Sequence, residues 1–135
     1  REFDTVFVDL PTNWTNWSMS ALARSDLILL VSGLTLAGLH QARRQLDLLD
    51  QQELGSIPLG IVMNRVEKGL FRSINLKDAA RTLGREISFT VANDVPTVRA
   101  ALDQGLMLDE VRSKTRIAAD LRAIVETIPV SVGAH

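Results

Sequence analysis

The sequence contains no cysteine and no tyrosine, and only 4% of its residues are aromatic. Without cysteine the chain has no disulfide, no thiolate metal site and no cysteine nucleophile. Neither sign of charge is in large excess, because the chain has 15 lysines and arginines and 16 aspartates and glutamates, which give a net charge of -1. This balance gives no overall field to attract nucleic acid or an anionic membrane. No apolar run approaches the roughly 20 residues of a transmembrane helix, so we expect no membrane span.

The composition is that of an ordinary soluble globular domain. Its 135 residues are 46% hydrophobic and 23% charged, which predicts one domain with a substantial core. The first residues, Arg1 to Asp4, carry neither a signal sequence nor a transit-peptide pattern. They lead almost at once into an apolar segment, without an initiating methionine, so we expect the sequence to be part of a longer protein.

The most informative stretch is the apolar segment at residues 5–8, which runs into Asp9 and is stopped by Pro11. An unbroken apolar run predicts a strand near 4–9 that is covered on both faces, as in a parallel sheet. Asp9 would then stand at the carboxyl end of the strand, where open α/β sheets bind ligands. Its carboxylate either holds a metal-bound water beside a phosphate or caps the loop or helix that follows.

Three further apolar runs predict buried strands, and amphipathic helical segments separate them. The strands fall near 27–32, 57–63 and 86–91. The helices fall near 18–24, 35–51, 75–84, 94–105 and 114–128. Strands that alternate with helices at this spacing are typical of right-handed parallel crossovers. The pattern therefore predicts the α/β class, with a three-layer, mostly parallel sheet covered by helices on both faces.

Polar residues collect at the ends of three of these predicted strands. They are Asp9-Leu10-Pro11, Asn64-Arg65 and Ala92-Asn93-Asp94. In this order they resemble the second half of the MinD/ParA group of P-loop ATPases. Residues 6–11 look like the second phosphate motif and switch loop of that group, and 61–65 like the strand whose asparagine reads the adenine edge. Residues 91–94 with 101–105 are similar to the loop and helix that close the nucleotide pocket.

The resemblance assigns several residues to a nucleotide site. Asp9 would hold a Mg²⁺-bound water, and would thus contact the metal only indirectly. The nucleotide-binding residues would be Pro11, Asn64, Arg65, Asn93 and Asp94. ATP and Mg²⁺ are thereby implied as cofactors of the parent protein. Trp14 and Trp17, in the switch-like loop, would face a dimer mate or, alternatively, cover the edge of the sheet.

Two departures from the family pattern limit what this chain can do. No Gly-x-x-x-x-Gly-Lys-Ser/Thr motif occurs in it, so the backbone cradle and the lysine that neutralise phosphate oxygens are absent. Ala92 also stands where the family usually has proline. We therefore expect residues 1–135 to be the C-terminal part of one ATPase domain whose P-loop strand is missing. Alone the chain should neither bind ATP tightly nor hydrolyse it, and ATP hydrolysis requires a P-loop from the parent protein.

A finer similarity, to the CpaE/TadZ branch of pilus-assembly proteins, lies in residues 23–26, 34–39 and 43–46. It implies a cytoplasmic, ATPase-like protein that localises or assembles a type IV (Flp/Tad) pilus or secretion machine. Such a protein would act as a homodimer through protein contacts, and could be recruited to the inner membrane face or a cell pole. The alternative is a ParA/MinD-type ATPase for partition or cell positioning. Against it, residues 129–135 contain no lysine or arginine for a basic membrane helix, and the mixed charges give no evident DNA-binding patch.

The remaining polar residues of interest have structural interpretations. His40 has no second ligand at helical spacing, which favours a structural role. The last predicted helix carries both signs of charge, including Arg116 and Asp120, and is interpreted as having a solvated mixed face.

Overall fold

The computed structural model describes residues 3–67 and 74–128. Residues 1–2, 68–73 and 129–135 lie outside the described part, and with them the C-terminal stretch considered above for membrane binding. The helices are α1 (Asn16–Ala23), α2 (Leu36–Gln51), α3 (Leu76–Leu83), α4 (Val95–Gln104), α5 (Leu108–Val111) and α6 (Arg116–Thr127). The strands are β1 (Ile28–Gly33), β2 (Leu59–Val66) and β3 (Phe89–Ala92). Within the described ranges, no helix combines the length and apolarity needed to cross a bilayer.

The three strands form one parallel sheet in the order β1-β2-β3. Ile28 of β1 lies opposite Leu59 of β2, and Val62 of β2 lies opposite Phe89 of β3. The crossovers between consecutive strands contain α2 and α3, as parallel pairing of neighbours requires. Three of the four predicted strands are thus confirmed, with shifted ends.

Helices cover both faces of the sheet, which confirms the predicted α/β class. On one face α2 and α3 contribute to a cluster of buried apolar side chains. It consists of Leu30, Leu39, Ala42, Leu46, Ile61, Met63, Val66, Ala79 and Leu83. On the other face, Ile117 and Ile124 of α6 pack against Val62 and Val91. A third cluster joins α1 to β1 and α2.

Local sequence explains where most helices begin and end. A side chain at the start of each longer helix accepts a hydrogen bond from a first-turn backbone N–H, and these residues are Thr15, Thr35, Asn75, Asp94 and Thr115. Such caps satisfy amides that the helix itself leaves unpaired. Helices α3 and α4 end at Gly84 and Gly105, with φ values of 68° and 64°. Glycine tolerates this left-handed conformation without a steric penalty.

The prediction of a strand near 4–9 is wrong for this chain. Residues 5–10 belong to no strand, and Val6, Phe7 and Val8 are 72%, 71% and 56% exposed. A strand is stabilised by hydrogen bonds to a neighbouring strand and by burial of its side chains. In the described part of the chain, no strand pairs with this segment. Asp9 and Pro11 therefore follow a segment that pairs with no described strand.

The end of β2 also differs from the prediction. The strand continues past Met63 to Val66, so Asn64 and Arg65 lie within it and not after it. Met63 pairs with Thr90 and Val66 with Ala92, which leaves one extra residue on β2. This irregularity is a β-bulge, and Arg65 adopts the left-handed conformation there, with a φ of 57°. The Asn64 Oδ1 accepts a hydrogen bond of 2.9 Å from the Arg65 backbone N–H.

Candidate functional site

A cleft of about 920 Å³ runs along the outer edge of β1 and is called here the β1-edge cleft. Residues 3–12 form one wall, and β1 with the start of α2 forms the other. Ile128, just after α6, also lines it. The exposed side chains of residues 6–8 and Val31, which is 57% exposed, all line this cleft. Apolar side chains from both walls therefore face the cleft, together with polar residues such as Asp9 and Asp26.

The backbone of β1 offers hydrogen bonds to this cleft. The Ile28 N–H donates to the Pro58 carbonyl at 2.9 Å, so Ile28 and every second residue after it face β2. Because strand residues alternate, the N–H and C=O groups of Leu29 and Val31 and the N–H of Gly33 point the other way, toward the cleft. The Gly33 carbonyl instead accepts a hydrogen bond of 2.9 Å from the Ser32 hydroxyl. Within residues 3–67 and 74–128, no strand pairs with that edge.

Asp9 and Pro11, the predicted phosphate-side residues, line the β1-edge cleft and are exposed. Ser32 and Gly33, at the carboxyl end of β1, line the same cleft. The loop after Pro11 is tied to α2, because the Gln45 Nε2 donates to the Thr12 carbonyl at 3.3 Å. Asp9 does not cap the next helix, since Thr15 caps α1. The capping interpretation of Asp9 is thus wrong as regards that helix.

The two tryptophans have different surroundings. Trp14 is half-buried and packs against the cluster of Leu22, Ile28 and Leu49. Trp17, in the first turn of α1, is 61% exposed. Trp14 therefore packs against the core, whereas the ring of Trp17 is exposed.

Another cavity, of about 390 Å³, lies at the carboxyl ends of β2 and β3 and is called here the β2–β3 pocket. It is lined by Val66, Glu67, Ala92, Asn93, Asp94, Arg116 and Ile117. Asn93 and Asp94 were predicted from the sequence to bind nucleotide, and the fold brings them together here. Asn64 and Arg65 are not among the lining residues, although the bulge that holds them directly precedes Val66.

Hydrogen bonds hold the Asn93–Asp94 wall of this pocket in place. The Asn93 Nδ2 donates to the Glu67 Oε1 at 2.9 Å, and the Asn93 backbone N–H donates to the Val66 carbonyl at 3.1 Å. Asp94 caps α4 by accepting from the Thr97 N–H at 3.2 Å and from the Thr97 hydroxyl at 2.7 Å. The side chains that line the pocket on this side are thus already oriented.

Helix α6 supplies residues that the sequence analysis missed. The Asp120 Oδ2 accepts a 2.9 Å hydrogen bond from the Ala92 N–H and lies 3.9 Å from the Arg116 Nε. Its side chain is 20% exposed, so a solvated face is the wrong interpretation for Asp120. A signal was present, because position 120 lies three residues after Ile117 and four before Ile124, on the buried stripe of the helix.

The charges of the pocket restrict what it can bind. Among its described lining residues, Glu67 and Asp94 outnumber the single cation, Arg116. This balance disfavours a phosphate and suits a neutral polar group with hydrogen-bond donors. In residues 3–67 and 74–128, no three histidine, cysteine or acidic side chains are placed to hold a metal. Mg²⁺ commonly takes only one or two protein carboxylates together with water and substrate phosphates, so a site for it need not contain three such side chains.

Comparison with known proteins gives a clear result for the fold only. No protein-family model matches the chain, and no curated protein sequence matches it. Among solved structures, a ParA family ATPase from Chlorobium tepidum TLS matches with a TM-score of 0.75 and 19% identity, over 85% of this chain and 46% of its own. The cell division ATPase MinD of Pyrococcus furiosus matches with a TM-score of 0.70 and 19% identity, over 87% and 48%.

A third match is the MinC:MinD cell division protein complex of Aquifex aeolicus, with a TM-score of 0.58 and 18% identity over 85% of this chain and 49% of the other. The structural neighbours are thus ParA/MinD-family ATPases, and the chain has their fold. It spans about half the length of the structures it matches.

Proposed function

We propose that residues 1–135 are the C-terminal part of a single ATPase-like domain of the ParA/MinD type, completed by a further half of the parent protein. The β1-edge cleft carries this proposal. It separates an unpaired strand edge from three exposed apolar side chains, Val6, Phe7 and Val8. The matched structures contain about as much chain again as they share with this one, which supports a missing half.

One strand inserted into the cleft would form backbone hydrogen bonds with both of its walls. Strands in a sheet lie about 4.8 Å apart, and each strand hydrogen-bonds on both sides. An insert beside β1 would pair with the backbone of Leu29, Val31 and Gly33 and, on its other side, with residues 4–9. The predicted strand at 4–9 would then form, and Asp9 would take its place at the carboxyl edge of the sheet.

The completed domain would bind ATP across that edge. The phosphates and Mg²⁺ would lie near Asp9 and Pro11, with the phosphate loop supplied by the other half. The β2–β3 pocket would take the base, because it offers Asn93 and Asp94 and disfavours a phosphate. Asn64 and Arg65 would flank the base from the bulge. This chain alone lacks the cationic cradle that phosphoryl transfer needs.

The biological role that we propose is localisation or assembly of a type IV (Flp/Tad) pilus or secretion machine, as in the CpaE/TadZ branch. The protein would perform this role through nucleotide-linked homodimerisation and protein contacts. It would act in the cytoplasm or at the inner membrane face or cell pole. The exposed Trp17 supports a contact surface. So does the MinC:MinD structure, because that neighbour was solved bound to another protein.

The alternative is a ParA/MinD-type ATPase for partition or cell positioning. The names of the structural neighbours favour it, since they are a ParA family ATPase and cell division ATPases. Deleting the gene would separate the two roles. A loss of surface pili with normal division and DNA segregation supports pilus assembly, whereas misplaced septa or lost DNA with normal pili supports the alternative.

Calorimetry tests the nucleotide site. This chain alone should bind no ATP at micromolar concentrations, whereas the parent protein should bind ATP with Mg²⁺. In the parent, Asp9→Asn should lower hydrolysis by about 100-fold while ATP binding changes by less than about threefold, since the carboxylate would act on the metal-bound water. Asp26→Asn is the matched control, because Asp26 is an exposed carboxylate lining the same cleft ahead of β1. Micromolar ATP binding by the isolated chain, or equal effects of both variants, would contradict the proposal.

A further inference from the structure

Asp120 connects two walls of the β2–β3 pocket that come from distant parts of the chain. Its Oδ2 accepts a hydrogen bond of 2.9 Å from the backbone N–H of Ala92, which is 28 residues earlier. The same oxygen lies 3.9 Å from the Nε of Arg116, one helical turn before it on α6. Both Ala92 and Arg116 line the pocket, whereas Asp120 itself does not.

The position of the Ala92 N–H affects the residues that form the pocket wall. Ala92 is the last residue of β3, and Asn93 and Asp94 follow it directly as the pocket wall. Asp94 then caps α4, so its carboxylate depends on where the strand stops. A shift of the Ala92 amide would move Asn93 and Asp94 together relative to the end of β2.

The second contact of Asp120, with Arg116, is weaker than its bond to Ala92, but it also affects the pocket. Arg116 is the only cation among the described residues that line the pocket, and its side chain is 48% exposed. An ion pair at 3.9 Å with a half-exposed guanidinium adds little to stability. Asp120 can, however, restrict the directions in which Arg116 extends, and a restricted guanidinium binds a planar ligand with less loss of entropy.

We propose that Asp120 is a positioning residue of the β2–β3 pocket: its carboxylate fixes the Ala92–Asp94 wall and orients Arg116 toward the bound base. This proposal rests on the proposed function, because the base is that of the nucleotide. Asp120 touches no ligand. It acts through the backbone of Ala92 and the side chain of Arg116.

The experiment uses the full-length parent protein and two probes, ATP with Mg²⁺ and inorganic tripolyphosphate, which has no base. Asp120→Ala should weaken ATP binding by about tenfold, the effect of losing one well-placed hydrogen bond. Tripolyphosphate binding should stay within about twofold, because the phosphates lie away from this pocket. Asp120→Asn keeps an acceptor oxygen for the Ala92 N–H and should recover most of the ATP affinity.

Asp109→Ala is the matched control. Asp109 is an exposed carboxylate that pairs with Arg122 of α6 at 3.3 Å and does not line the pocket. The Asp109→Ala variant should have unchanged affinities for ATP and for tripolyphosphate. Amide hydrogen exchange at Ala92 gives a reading independent of ligand, and it should speed up in Asp120→Ala but not in Asp109→Ala.

The outcomes separate this proposal from the one on which it rests. A wild-type parent that folds but binds no ATP overturns the proposed function, and the positioning role falls with it. A wild-type parent that binds ATP, with Asp120→Ala unchanged, overturns the positioning role alone. Equal losses of ATP and tripolyphosphate affinity in Asp120→Ala also overturn it, since they would show a general structural effect.

Discussion

Two apolar runs of this chain have similar local sequences and different structures. Val6-Phe7-Val8 pairs with no described strand and is 72%, 71% and 56% exposed. Ile61-Val62-Met63, in the middle of the central strand, is 1%, 4% and 0% exposed. Both runs consist of residues that favour strands. The difference lies in their neighbours, because 61–63 has a strand on each side and helices on both faces, whereas 6–8 faces a cleft.

The comparison shows that β-propensity alone does not make a strand. A strand residue gains from cross-strand pairs and from burial, and both come from other parts of the protein. The segment at 6–8 therefore has the composition of a buried strand, but no described strand pairs with it and its side chains are exposed. We expect the two runs to become alike once the cleft is filled.

The largest expected effect is on Phe7. In the isolated chain Phe7→Ala should change the free energy of unfolding by less than about 0.5 kcal/mol, as for other exposed positions. In the parent protein, where an inserted strand would bury the ring, the same change should cost about 3–5 kcal/mol. Urea denaturation of both proteins measures the difference.

Ile61→Ala is the control for this test. Ile61 is 1% exposed, so its loss should cost about 2–5 kcal/mol in both proteins. If Phe7→Ala has the same small effect in the parent as in the isolated chain, the cleft is not filled by the parent protein and the interpretation of residues 4–9 is wrong.

The same contrast explains which predictions from sequence succeed. Thr35 and Gly105 were placed correctly at helix ends, because a cap depends on residues within one turn. The strand at 4–9 was predicted wrongly, since its formation depends on a partner that the local pattern does not contain. Asp120 was missed for a related reason. Its bond to Ala92 exists only once α6 packs on β3, and the sequence shows just an acid on an apolar stripe.

Within the candidate site, Asn93 and Asp94 were predicted to follow a strand, and they directly follow β3. The place of Arg65 was less predictable. The extra residue of the bulge depends on how β2 pairs with β3, and it moves Asn64 and Arg65 out of the loop and into the strand. Long-range pairing, and not local preference, thus decides the details of this edge of the sheet.

A smaller effect on stability is expected at Asp94, the N-cap of α4. Asp94→Ala removes a cap that accepts from both the N–H and the hydroxyl of Thr97, which is 3% exposed. The change should destabilise the isolated chain by about 1–2 kcal/mol, measured by urea denaturation. Asp94→Asn, which keeps one acceptor, should cost less than half as much. Equal losses for the two variants would show that the charge, rather than the cap, matters here.

At the bulge, a substitution should stabilise the chain. Arg65 has a φ of 57°, a conformation that costs a residue with a side chain about 1–2 kcal/mol. Arg65→Gly relieves this strain but adds freedom to the unfolded chain, so we expect a net gain of about 0.5 kcal/mol. Arg65→Ala keeps the strained backbone and should give no gain. A higher midpoint of thermal unfolding for Arg65→Ala than for Arg65→Gly would contradict the strain argument.

The smallest effect on stability is expected at Trp17, although its effect on association should be large. Its ring is 61% exposed, so Trp17→Ala should change the free energy of unfolding by about 0.5 kcal/mol or less. Exposed tryptophans are enriched among the residues that dominate protein interfaces, so the same variant of the parent should weaken self-association by more than about tenfold in sedimentation. Ser20→Ala, another exposed change on α1, should alter neither quantity, whereas Trp14→Ala should lower stability because Trp14 packs against the core. If Trp17→Ala lowers the melting temperature and leaves sedimentation unchanged, the ring belongs to the fold, and the contact surface must be sought elsewhere on the molecule.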